Sequence, residues 1–176
     1  MIDVIANPAS ITFGNKKEIS IYKLFHKMSI LFRHISVKEK IAIELINIDD
    51  AFIRNSYCYE SIEFIPLILL DNAIKYSAEF STVKIEITQQ YNKVKIKVKN
   101  IGPFVKDENR EKIFEKFFRD DSARTFSKGG IGMGLWIAQS ILESHGSKIY
   151  YNKDNSASGD IGLNIFEFDL ATIQTY

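Results

Sequence analysis

The stretch "TVKIEITQQYNKVKIKVKN" (Thr82–Asn100) constrains the fold more than any other part of the chain. Apolar residues alternate on both sides of "QQYNK", with Val83, Ile85 and Ile87 before it and Val94, Ile96 and Val98 after it. A period of two around a short polar connection is the signature of a β-hairpin with one buried face. An antiparallel pair in mid-chain favours a mixed sheet over an all-parallel one. Other segments carry a different period. Ile21, Leu24, Phe25, Met28, Leu31 and Phe32 recur at helical spacing within Ile19–Phe32. Ser61–Ser77 is too long and too evenly apolar for a strand and reads as a buried helix, with Pro66 in its early turns, where a missing N–H costs least. Leu135, Ala138, Ile141, Leu142 and His145 form a further helical stripe, with Gly146 as its stop. "KIAIELIN", "SKIYYN" and "IGLNIFEFDL" read as strands and "AFIRN" as a short one, "ENREKIFEKFF" as a short helix and Arg119–Gly130 as a mobile loop. Helical and strand blocks that alternate and include a hairpin predict a two-layer α/β sandwich with a mixed sheet.

A chain of 176 residues suits one domain, with an irregular lead-in over 1–18 and the folded unit over 19–176. The net charge is +1 and no block of like charges occurs, so neither a nucleic-acid nor an anionic-membrane partner has electrostatic support. The single Cys58 excludes an internal disulfide framework and fits a reducing cytosol. The longest apolar run, Phe64–Leu70, falls far short of the roughly 20 residues that a membrane helix needs. "MIDVIANPAS" lacks the basic-then-apolar order of a secretory signal, which makes the cytoplasm the expected location.

Four stretches carry candidate chemistry. "GGIGMGLWIAQSI" sets Gly130, Gly132 and Gly134 directly before a helix, where free N–H groups and the helix dipole favour an anion. Arg119, Arg124 and Lys128 lie just upstream as cations for a phosphate chain. The spacing matches neither the phosphate loop nor the dinucleotide fingerprint, so a flexible loop that permits tight helix packing is the alternative. In "LLDNAIKYS", Ile68, Asn72 and Lys75 share one helical stripe, with Tyr76 nearby. The helix is apolar on nearly every side, which predicts a largely buried Asn72. A buried amide then needs backbone, water, metal or ligand as its partner. In "KVKNIGPFV", Asn100 ends a strand and Gly102 permits a sharp turn, a pattern that a plain strand-end turn would also produce. Phe114, Phe117 and Phe118 of "IFEKFFR" fit ordinary core packing.

Taken in order, these stretches resemble the catalytic, ATP-binding domain of sensor histidine kinases, in the superfamily shared with gyrase, mismatch-repair ATPases and the large heat-shock chaperone. "LLDNAIKYS" is similar to the family's N box, "NIGPF" to its first glycine box, "IFEKFFR" to its F box and "GGIGMGLWIAQSI" to its second glycine box. The resemblance spans roughly Ile19–Leu170 and implies a Bergerat fold, a mostly antiparallel mixed sheet covered on one face by helices. It implies ATP and Mg²⁺ as cofactors, with Asn72 holding the metal. Asn72, Lys75 and Arg119 would serve phosphoryl transfer, and Lys75 and Tyr76 would contact the phosphates. Asn100 would face the adenine amino group, and Gly102 would let the ring approach. Gly130, Gly132 and Gly134 would wrap the phosphates, flanked by Lys128, Met133 and Leu135, and Arg119–Gly129 would form a lid.

Three positions depart from the family pattern. Asn100 stands where most members have Asp, Phe104 replaces the second glycine of its box, and Ile68 replaces a polar residue one turn before Asn72. No carboxylate fills the place of a base for water, since Asp71 lies about 100° around the helix from Asn72. The sequence contexts of His26, His34 and His145 do not match the family's phosphoacceptor. The resemblance therefore implies a histidine-bearing dimerisation hairpin in cis or in trans, followed by a response regulator. A nucleotide-gated binding module similar to anti-sigma factors, or a degenerate domain without kinase activity, are the alternatives.

Overall fold

The alternating runs become strands and the 3.6-period runs become helices in the computed structural model, which describes residues 14–48, 52–121, 126, 130–154 and 159–173. In chain order the elements are β1 (Lys17–Ile19), α1 (Ile21–Lys38), β2 (Ala42–Asn47), β3 (Ser56–Cys58), α2 (Phe64–Lys75), β4 (Thr82–Gln90), β5 (Lys93–Pro103), α3 (Gly134–Ser144), β6 (Tyr150–Asp154) and β7 (Ile161–Ala171). The main sheet runs β2-β4-β5-β7-β6. The β2–β4 pair is parallel and the other three are antiparallel.

One face of this sheet is apolar. Val83, Ile85 and Ile87 on β4, Val94, Ile96 and Val98 on β5, and Phe166, Phe168 and Leu170 on β7 are all buried. The opposite face carries the intervening lysines, held by cross-strand ion pairs such as Lys99–Glu86 at 2.6 Å and Lys97–Glu167 at 3.5 Å. Helices therefore cover only the apolar face, which makes the two-layer sandwich. In α2, Ile65, Leu69, Leu70, Ala73 and Ile74 are buried together with Ile68, because the helix packs against α1, α3 and the sheet. Pro66 is the third residue of this helix, where its missing N–H breaks no intrahelical bond. The helix α1 begins on Ser20, whose Oγ accepts the Lys23 N–H at 3.3 Å, and buries Ile21, Phe25 and Phe32.

Three sequence expectations change. The last two residues of the expected lead-in over 1–18, Lys17 and Glu18, form β1 together with Ile19, and this strand pairs with β3. Residues 52–55 of "AFIRN" have no ladder partner; Arg54 N–H donates to the Gln89 side chain, and the strand begins at Ser56. "ENREKIFEKFF" forms two short 3₁₀ turns, Asp107–Asn109 and Lys112–Phe114, rather than an α-helix. Its periodicity is helical, but Phe117 adopts a left-handed φ of 66° and no helix passes through it.

Candidate functional site

A cavity of about 490 Å³ opens between α2, α3, the C-terminal end of β5 and the segment from Phe118 to Asp120. Its chemistry differs between its two ends. At the sheet end, the inward row Val94–Ile96–Val98 continues into Asn100 and Gly102. Asn100 is 2% exposed and lines the cavity, and its Nδ2 donates to the Tyr76 carbonyl at 3.1 Å. Gly102 is there because nothing larger fits: a Cβ would lie 1.8 Å from the Tyr76 oxygen. Backbone thus meets backbone where α2 ends and β5 ends, and the Ala78 N–H donates to the Ile101 carbonyl at 2.7 Å beside that contact. Pro103 and Val105 line the cavity. Phe104, at the position of the family's second glycine, instead lays its ring over Gly162, so this departure leaves the cavity open.

At the other end α3 begins at Gly134 with no side-chain cap. Its first intrahelical bond is Ile137 N–H to Met133 O at 2.9 Å, which leaves earlier amides available at the cavity wall. Gly132 has φ 76°, and a Cβ there would meet Phe118 O at 2.5 Å and Phe117 C at 2.8 Å. Phe117 N–H in turn donates to Gly132 O at 2.9 Å. The left-handed Phe117 and Gly132 therefore bind the phenylalanine segment to the glycine loop. Arg119 spans the mouth, donating to Gly130 O at 3.2 Å and to the Tyr76 hydroxyl at 3.3 Å. Met133, Gly134 and Leu135 complete this wall.

Along α2, Ile68, Asn72, Lys75 and Tyr76 all line the cavity, as their shared stripe predicts. Asn72 is partly rather than largely buried, because one side of the helix faces open space instead of packed side chains. Among the described residues its side-chain amide has no hydrogen-bond partner, so an oxygen ligand is available for a cation or a polar group. Lys75 pairs with Asp71 at 2.5 Å, both about half exposed, so the anion that its ammonium requires is one turn back on its own helix. Ile68 is 5% exposed and lies against Gly134, where a Cβ would sit 3.4 Å from its Cγ2. No group of three or more His, Cys, Asp or Glu side chains among the described residues is arranged to hold a metal.

The structure also brings in residues that sequence reasoning missed. Asn164, directly opposite Asn100 in the β5–β7 register, is buried. Its Oδ1 accepts from the Tyr151 hydroxyl at 2.6 Å, and its Nδ2 donates to Gly102 O at 3.2 Å. The Tyr151 oxygen accepts the Val105 N–H at 3.1 Å, and burial raises the Tyr151 pKa above its ordinary value. A signal was available: Asn164 sits in phase with the buried Phe166 and Phe168 of "IGLNIFEFDL". Asp120, 2% exposed, lines the cavity and accepts from Asn109 Nδ2 at 2.7 Å. It follows Arg119 in a polar stretch that reads as solvated loop, and nothing local distinguishes it. Lys128, Arg124 and most of the expected lid lie outside the described residues.

Residues 61–171 match the family model for histidine kinase-, DNA gyrase B- and HSP90-like ATPases. The sensor protein kinase WalK of Staphylococcus saprophyticus is 38% identical over 100 residues, which is 56% of this chain and 16% of that relative. WalK of Staphylococcus aureus is 37% identical over 100 residues, 56% of this chain and 23% of the relative. The chain thus spans less than a quarter of the length of these curated relatives. A nucleotide-free catalytic domain of histidine kinase ThkA superposes with a TM-score of 0.74 at 27% identity, covering 90% of this chain and 97% of that one. A complex of ThkA with the response regulator protein TrrA shares the fold, at TM-score 0.73 and 22% identity over 98% of this chain and 47% of that one. The four sequence boxes surround one cavity within the matched segment, which covers more than half of the chain, and the chain belongs to the histidine kinase-, DNA gyrase B- and HSP90-like ATPase family.

Proposed function

We propose that the chain is the ATP-binding catalytic domain of a two-component sensor histidine kinase working in the cytoplasm. It would hold Mg·ATP and pass the γ-phosphoryl group to a histidine on a dimerisation hairpin, in cis or in trans. A response regulator would then take the phosphoryl group from the hairpin, the type of partner named in the ThkA complex. The observation that carries this reading is the polarity of the cavity between α2, α3 and β5. An apolar slot ends on the amide of Asn100, while the opposite wall offers uncapped α3 amides, glycine backbone and Arg119. A flat base suits the first end and a phosphate chain the second.

The residues fit Mg²⁺ as a partner of the phosphates rather than as a resident ion. Asn72 would contribute one oxygen, and Mg²⁺ commonly combines few protein ligands with phosphate oxygens and water. When bound, it would neutralise the phosphate charge. Arg119 would orient the terminal phosphate from the mouth, and Lys75 would reach the chain by exchanging Asp71 for it. In the transfer, the bond between the γ-phosphorus and the bridging oxygen breaks and ADP keeps the electron pair. A P–N bond forms to the acceptor imidazole, which is its own nucleophile and needs no enzyme carboxylate. His26 and His34 stand exposed on α1, and His145 is held within the fold by Tyr59 and Ile141.

The buried Ile68, where a base for water would stand, favours a second reading: a nucleotide-gated binding module that keeps its ATP. One experiment separates the two. The domain is incubated with γ-labelled ATP and a histidine-bearing hairpin. Acid-labile, base-stable label on the hairpin is the kinase result, and nucleotide retention without label transfer is the module result.

A further inference from the structure

We propose that α1 is a docking surface for an acidic amphipathic helix of a partner protein, which packs along Leu24, Met28, Leu31 and Ile35 as a short coiled coil. The spacing of these residues alternates between four and three, as heptad seam positions do, and gathers them within about 60° of arc. The stripe that α1 buries in the core is a different one, formed by Ile21, Phe25, Phe32 and Ser36. The second stripe starts beside the entry to α2, where Leu24 lies with Ile62, Ile65 and Pro66. It then runs clear of the domain, since Leu31 is 60% exposed and Ile35 47%. Packing within the fold thus accounts for the first half of the seam and leaves the second half in water. No residue of α1 lines the nucleotide cavity, so this inference does not depend on the nucleotide reading.

Charge decides what kind of helix fits. A chain of net charge +1 places Lys23, Lys27, Arg33 and Lys38 on α1, with no Asp or Glu among its residues. None of these four has an ion-pair partner among the described residues, whereas Lys84, Lys97 and Lys99 of the sheet each meet a carboxylate. Lys27 and Lys38 border the seam on its solvent side, and Phe25 and Phe32 border it on the core side. Charges that flank a seam select its partner, so the matching helix carries Glu or Asp beside its apolar residues. A second copy of this chain docked through the same face would set lysine against lysine. A bilayer would need one broad apolar face, and that face of α1 is turned into the core.

The probe is a labelled synthetic peptide of about three heptads, with Leu at the seam positions and Glu at both flanks, which keeps it from pairing with itself. Its fluorescence anisotropy is titrated with the full chain, and a twin peptide with Lys at the flanks is the control. Docking predicts that the Glu peptide binds, that added salt weakens it, and that the Lys peptide binds at least about tenfold more weakly. Leu31→Gln combined with Ile35→Gln should abolish binding with little change in melting temperature, because both side chains already meet water. Ile30→Gln combined with Val37→Gln is the matched control. These residues are 59% and 68% exposed but lie on the other flank of the helix, so their loss should leave binding unchanged. Failure of the Glu peptide to bind, or equal binding of the two peptides, would overturn the proposal. So would an equal loss in the two variant pairs, which is the mark of general stickiness. A chain that sediments with phosphatidylserine vesicles yet ignores the Glu peptide has a lipid surface there, and the proposal fails.

Discussion

Gly132 is the position where one methyl group separates two explanations of the glycine loop. A Cβ on Gly132 would stand 2.5 Å from Phe118 O and 2.8 Å from Phe117 C, both backbone atoms that cannot rotate aside. A carbon needs about 3.5 Å, so the loop would have to retreat by about an ångström. The left-handed φ of 76° adds about 1–2 kcal/mol for an L-residue, and the overpacking adds about 1–3 kcal/mol. Gly132→Ala should therefore cost about 2–5 kcal/mol, or about 4–20 °C in melting temperature for a chain of this size. The same retreat would break the Phe117 N–H to Gly132 O bond and move the loop that leads into α3. Nucleotide affinity should then fall by at least about tenfold. Gly130 is the internal control. Its φ is 110° but nothing lies within 4 Å of an added Cβ, so Gly130→Ala has backbone strain to absorb and no clash. Melting curves and ATP titrations of both variants form the assay. A Gly132→Ala chain as stable as wild type, or more stable than Gly130→Ala, would refute the packing argument.

Arg119→Ala removes donors to Gly130 O and the Tyr76 hydroxyl and should weaken ATP about tenfold in a binding titration, with little change in the melting point of the free protein. Arg119→Lys should not rescue it, because one ammonium cannot reproduce the guanidinium fork. His145 ties the end of α3 to the segment before α2: its Nε2 accepts the Tyr59 N–H at 2.9 Å, and its Nδ1 lies 2.7 Å from Ile141 O. Burial lowers its pKa below 6.5, against the pull of the Ile141 carbonyl. The unfolded chain then takes up a proton before the folded one does, so stability present above about pH 6.5 is lost as pH falls through that value toward the folded pKa. Urea melts at pH 7.5 and 5.5 should show this loss in the wild type, and His145→Gln should reduce it.

Much of the fold was legible because its core is patterned simply. The hairpin of β4 and β5 follows from alternation alone, and α2 follows from a run too long for a strand. The misreadings share a cause, in that distant backbone overrides local period. The phenylalanine segment has helical spacing, yet Phe117 turns left-handed to give its N–H to Gly132. Residues 52–55 of "AFIRN" join no strand ladder, because the Arg54 amide is taken by the Gln89 side chain rather than by a strand. At the site, Asn72, Asn100 and Gly102 announced themselves by breaking apolar or strand patterns. Asp120 gave no such signal, since a carboxylate in a polar loop looks solvated until tertiary packing buries it.

The central claim is that the cavity between α2, α3 and β5 holds Mg·ATP, and a melting curve with and without nucleotide tests it most directly. With ATP at a hundred times its Kd, binding adds about 2.7 kcal/mol, or about 5–11 °C at this chain length. The account predicts that rise with ATP and Mg²⁺, and its loss in Asn72→Ala. A melting temperature that does not move at millimolar ATP and Mg²⁺ would contradict it.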